Sequence, residues 1–96
     1  MGKKKEVGCK VMIQYSRASL KFLRKLDRAS VGRIRSGIAG LTRQPPEGDI
    51  KPLQGYQDGR KRLRIGDWRV IFRNDMQGRI EILLIIDIGN RGDIYK

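Results

Sequence analysis

The sequence predicts an α+β domain in which a helical hairpin packs on one face of a sheet. Three observations predict it. Apolar residues recur at helical spacing through residues 17–43, and they alternate at period two from residue 60 onward. A proline-containing break at Pro45-Pro46 separates the two regimes. The implied order is β-α-α-β-β-β: an N-terminal strand, the hairpin, then a three-stranded antiparallel meander. The chain of 96 residues is long enough for one core, so a single domain over 1–96 is expected, with residues 1–8 as a disordered basic tail.

The elements follow in order. Residues 9–15 alternate through Val11, Ile13 and Tyr15, which makes a short strand. Ser16 is placed to cap a helix, and Leu20, Phe22, Leu23 and Leu26 supply its i,i+3 and i,i+4 pairs. Asp27 caps a second helix, in which Val31, Ile34, Ile38 and Leu41 form one apolar stripe. Gln44-Pro45-Pro46-Glu47-Gly48 stops it. Residues 60–65 and 68–73 then read as two strands. Gly66-Asp67 between them is a two-residue loop with glycine first, the mark of a type II′ hairpin turn. Residues 74–78 read as another turn. Residues 79–88 form the last strand, apolar on both faces over 82–86 and so flanked on both sides in the sheet.

Charge bounds the function. Lys and Arg number 22 against 10 Asp and Glu, a net charge of +12. Such an excess repels itself and adds nothing to folding, but it suits a polyanion partner. Histidine is absent, which excludes Ser–His–Asp and Cys–His catalysis and histidine-bound metals. Cys9 is the one cysteine, so neither an internal disulfide nor a zinc cluster is expected. The longest apolar run, residues 82–86, is too short to span a bilayer, and no signal-type apolar run follows the lysines at the start. The expectation is a cytoplasmic protein with no metal, no cofactor and no membrane partner.

The hairpin register can be derived. With Gly66-Asp67 as the loop, Ile65 pairs with Trp68, Arg64 with Arg69, Leu63 with Val70, Arg62 with Ile71, Lys61 with Phe72 and Arg60 with Arg73. Side chains of one parity share a face. Leu63, Ile65, Trp68, Val70 and Phe72 then form the core side, with Lys61 at its edge. Arg60, Arg62, Arg64, Arg69 and Arg73 fall on the opposite face around Ile71. Like charges directly opposite, such as Arg64 and Arg69, cost roughly a few tenths of a kcal/mol. A solvated face is normally polar, but it mixes signs. The alternative is a phosphate cradle, for which arginine is suited by its planar fork and permanent charge. Arg91 and Tyr95 could extend the cradle, although Tyr95 could equally be an aromatic lid on the core.

These residues also carry a resemblance. The chain is similar to the RelE/ParE superfamily of bacterial type II toxins from about Val11 to Tyr95. The matching features are Tyr15-Ser16 before the helical hairpin and Lys51-Pro52-Leu53-Gln54-Gly55. The best are Leu63-Arg64-Ile65-Gly66-Asp67-Trp68-Arg69-Val70-Ile71-Phe72 and the closing Ile88-Gly89-Asn90-Arg91-Gly92-Asp93-Ile94-Tyr95.

The RelE-like branch implies a ribosome-dependent endoribonuclease that cuts mRNA in the A site, the ribose 2′-OH attacking the adjacent phosphate. Carried over by position, the resemblance implies catalytic roles for Arg60, Arg62, Arg69, Arg91 and Tyr95. Arg64, Arg73, Lys51, Lys61 and Lys96 would add nucleic-acid contacts. The family prototype has lysines where Arg60 and Arg62 stand, and arginine cannot realistically lose a proton. The base would then be Tyr95, whose phenol a cationic surround acidifies, with Lys51 and Lys96 as weaker choices. The resemblance further implies a cognate antitoxin whose acidic segment wraps the toxin, besides ribosome and mRNA as partners. Two other readings stand beside it: a ParE-like inhibitor of DNA gyrase, and a catalytically silent relative.

Overall fold

The computed structural model describes residues 10–90. Seven elements follow in order: β1 Lys10–Tyr15, α1 Arg17–Arg24, α2 Arg28–Gly40, β2 Asp49–Pro52, β3 Lys61–Ile65, β4 Trp68–Gln77 and β5 Ile80–Asn90. They form one five-stranded sheet of order β1-β5-β4-β3-β2. β1 runs parallel to β5 and every other pair is antiparallel, so the sheet is mixed. The parallel pair follows from the connection. The helices return the chain into β2, which runs opposite to β1, and the three antiparallel reversals that follow bring β5 beside β1 in the same sense.

The helices cover one face. Ile34 and Ile38 of α2 are fully buried against Leu63, Val70, Phe72, Leu83, Ile85 and Ile88 of the sheet. Val11, Ile13 and Tyr15 of β1 and Phe22, Leu23 and Leu26 of the α1 region pack against this cluster. Leu20, placed by its spacing on the apolar side of α1, instead faces solvent. Ile65 and Trp68, which flank the turn at the end of the hairpin, are only partly buried, and Arg33 of α2 lies over the Trp68 ring at 5.5 Å.

Ser16 does more than cap. Its Oγ accepts the Ser19 amide at 3.1 Å, and its hydroxyl donates to the Ile86 carbonyl at 2.6 Å. The β4–β5 register slips between Ile71 and Phe72, which pair with Asp87 and Ile85, so Ile86 is the extra residue of a bulge. Buried Ser19 donates its hydroxyl to the Ile85 carbonyl at 3.3 Å, and the Ser16 amide donates to the same oxygen at 2.9 Å. The start of α1 thus supplies hydrogen bonds around the bulge.

Two elements differ from the sequence expectation. β2 is an additional edge strand, with a single apolar residue, Ile50, to mark it. β4 continues through Asn74 to Gln77, where a turn was expected, and the reversal is Gly78-Arg79. Both hairpin turns place glycine first, with φ +58° at Gly66 and +62° at Gly78, and among the described residues no other residue type has positive φ. That is the type II′ preference, used twice.

Candidate nucleic-acid interface

The sheet face away from the helices holds the candidate site. The hairpin register matches the derived pairing from Lys61 with Phe72 through Ile65 with Trp68. Two rows of residues cross this face. One is Asp49, Arg64, Arg69 and Gly89; the next is Lys51, Arg62, Ile71 and Asp87. Arg73 lies one step further along β4, beside Leu84. Ile71 is 3% exposed at the centre and belongs to no part of the helix-side core. Such an apolar floor suits arginines, which bury their methylenes while the guanidinium stays wet.

The arginines are not equivalent. Arg62 is buried, and its guanidinium lies 3.6 Å from Asp49, whose side chain is 52% exposed. Arg64 is exposed and Arg69 half-buried. Arg60, just before β3, donates from Nε and Nη2 to both oxygens of Asp58 at 2.9–3.2 Å. Its guanidinium also lies 4.2 Å from the centre of the Tyr56 ring. Arg73 reaches the same Asp58 carboxylate at 3.8 Å. The hydrogen bond from Arg60 holds the Asp58 carboxyl below the usual carboxylate range, with desolvation opposing it and the Arg60 charge adding to it.

Of the residues expected at the site, the fold brings Arg60, Arg62, Arg64, Arg69, Arg73 and Lys51 to one face. Lys61 does not join them. It shares parity with Leu63 and Ile65, so its register position is on the helix side, where it is exposed at the strand end. Arg91, Tyr95 and Lys96 lie outside the described residues. The expectation of a face with a single sign of charge also needs correction. Asp49, Asp58 and Asp87 stand among the cations.

Asp49, Tyr56 and Asp58 were not legible as site residues. Asp49 reaches Arg62 only through the pairing of β2 with β3, and β2 itself carries a weak signal. Asp58 stands two residues before Arg60 across Gly59, a spacing that could have suggested a local ion pair. The arrangement can bind phosphate groups through fixed guanidiniums over an apolar floor.

Comparison with known proteins places this geometry. A search of curated proteins finds no match. Among solved structures, the chain is similar to the toxin in the archaeal RelE–RelB complex from Pyrococcus horikoshii OT3, at 25% identity and TM-score 0.68, over 86% of this chain and 97% of that one. It is similar to the YoeB/ParE toxin from Agrobacterium tumefaciens, at 23% identity and TM-score 0.68, over 83% and 98%. The intact Escherichia coli RelBE toxin–antitoxin complex matches at 17% identity and TM-score 0.59, over 82% and 94%. The last two show the shared fold alone. A family model described as the ParE toxin of the type II toxin–antitoxin system, parDE, matches residues 13–95. With that match spanning β1 to the end of the sheet and beyond, the chain belongs to the ParE toxin family, in the RelE/ParE superfamily of type II toxin–antitoxin toxins.

Proposed function

We propose that this toxin is a metal-independent endoribonuclease that cuts mRNA in the ribosomal A site. The observation that carries the reading is the convergence of Arg62, Arg64, Arg69 and Lys51 on one sheet face opposite the helices. The likeness to an archaeal RelE at 25% identity supports it. The ribose 2′-oxygen bonds to phosphorus, the bond to the 5′-oxygen breaks, and a cyclic phosphate and a 5′-hydroxyl result. The 2′-proton passes to a base and the 5′-oxygen takes one up. The arginines neutralise the pentavalent oxyanion as charge builds on it. Tyr95 is the first choice of base and Lys51 the next. Loss of a dedicated base would remove only about 10²–10⁴-fold of rate. A cognate antitoxin would cover the same face with an acidic segment that folds on binding.

A second reading, inhibition of DNA gyrase by protein contact, is favoured by the ParE family model and by the carboxylates that already engage Arg60, Arg62 and Arg73. Primer extension on a reporter mRNA in a reconstituted translation system separates the two. Cuts within A-site codons only while ribosomes translate are expected. An intact message with translation running, together with loss of supercoiling in a gyrase assay, would establish the second reading.

A further inference from the structure

The acidic loop beside the arginine face has a role that neither reading supplies. Asp58 sits between two arginines from different parts of the chain. Arg60 grips it through Nε and Nη2, and Arg73 of β4 approaches the same Oδ2 at 3.8 Å. The Arg60 guanidinium meanwhile lies over the Tyr56 ring, 4.2 Å from its centre. Two guanidiniums converging on one oxyanion is the geometry by which proteins hold a phosphate. Here the oxyanion is supplied by the protein itself.

We infer that Arg60 and Arg73 form a binding site for one backbone phosphate of single-stranded RNA, and that the Asp58 carboxylate occupies it until RNA displaces it. This rests on the reading of the sheet face as an RNA interface.

Three observations support exchange. The Asp58 side chain is 34% exposed, and those of Arg60 and Arg73 are 27% and 30% exposed, so water and ligand reach all three. Asp58 lies in the connection between β2 and β3, outside any strand, so its release breaks no sheet ladder. The Tyr56 ring holds the Arg60 guanidinium by a contact that does not involve Asp58, so departure of the carboxylate leaves Arg60 in place. The carboxylate has a second effect. It keeps two like charges from facing each other unscreened when no ligand is bound.

The test is titration of the full chain with a short single-stranded RNA oligonucleotide over a range of salt. Three variants are compared with the parent. Asp58→Asn keeps an oxygen that can accept the Arg60 amide, which the Asp58 carboxylate now accepts at 3.3 Å. It removes the competing charge. Glu47→Gln is the control, because it raises net charge equally while its partner is Arg43. Asp58→Asn with Arg73→Ala removes both the competitor and half the site.

Asp58→Asn is expected to bind RNA about 1.5- to fivefold more tightly, the range of an exposed ion pair. Its salt dependence should stay as steep as the parent's or become steeper, by up to about 0.7 in the logarithmic slope if the parent leaves this phosphate site unfilled. Glu47→Gln should gain less, and Arg73→Ala should cancel the gain. Binding by Asp58→Asn that is weaker than or equal to the parent's, with circular dichroism unchanged, overturns the inference while leaving the RNA reading intact. An equal gain in Glu47→Gln overturns it too, since net charge then explains the effect. Tighter capture of an acidic peptide but not of RNA would assign the site to a protein partner and overturn it. Absence of salt-dependent RNA binding by the parent and every variant would sink both the inference and the RNA reading.

Discussion

Arg62 and Arg64 stand two residues apart on β3 and face the same way, yet they sit in different surroundings. Arg64 is exposed, whereas Arg62 is buried beside Ile71 with Asp49 as its ionic partner. Loss of function on replacing Arg62 therefore has two possible causes, and stability must be measured with it. Arg62→Ala is expected to lower unfolding free energy by about 1–3 kcal/mol in urea melts, through lost packing of its stem. Asp49 is half exposed and rehydrates, so the larger penalty for an orphaned buried charge does not arise. Arg64→Ala is expected to shift stability by no more than about 0.5 kcal/mol. If the arginine face holds RNA, the same variant should weaken binding and flatten its salt dependence by about 0.7 in logarithmic slope. Arg64 is for that reason the cleaner probe of phosphate contact. An unaltered slope would remove it from the interface.

At the scale of elements, the junction of β1, α1 and β5 is held by Ser16. One hydroxyl accepts from the Ser19 amide and donates to the carbonyl of the bulge residue Ile86. Ser16→Ala is expected to cost about 1–2 kcal/mol, the upper part of the range for an N-cap, because a partly buried carbonyl loses its donor as well. Thermal melts check this, and a loss no larger than that of Asp27→Ala, which removes the exposed cap of α2, would show that the bulge contact is dispensable. The cap itself was legible in the sequence, since serine before an apolar-periodic run has a local meaning. Its second partner was not, because the bulge exists only through the pairing of β4 with β5. The hairpin register was legible for a related reason. A two-residue turn fixes every pair beyond it, and Gly66-Asp67 allows little else. The second hairpin misled because Asn74, Asp75 and Gln77 are polar and exposed. These strands extend past the core, so the ladder, with the Asn74 amide donating to Glu81 at 2.6 Å, holds residues that hydrophobic pattern cannot report. β2 escaped notice through the same lack of apolar pattern, and Asp49 escaped with it.

At the scale of the whole molecule, few carboxylates work against a large positive charge. Asp27 caps α2 through Ser30, and hydrogen bonds from the Ser30 hydroxyl and amide hold its carboxyl below its ordinary value of 3.8. Asp58 is lowered by Arg60. A carboxyl whose folded value is depressed stabilises the fold above its unfolded value and loses that contribution as pH falls through the folded one. Both contributions are therefore intact at neutral pH, begin to fall below about pH 4, and are lost as pH drops through the lower folded values. The chain carries 22 Lys and Arg against 10 Asp and Glu, so protonation of carboxylates in acid leaves its cations with ever less opposing charge. The melting temperature is expected to fall between pH 7 and pH 3 by more than in a domain of balanced charge. Salt separates the two causes. Added salt at pH 3 screens the general repulsion, with a Debye length of about 10 Å at 0.1 M. It cannot restore a protonated cap. The double variant Asp27→Asn with Asp58→Asn should melt lower than the parent at pH 7, and the gap should narrow as pH falls toward 3. If the two proteins stay equally far apart at both pH values, these carboxylates do not act through their charge. The acid sensitivity would then belong to the net charge of the chain alone.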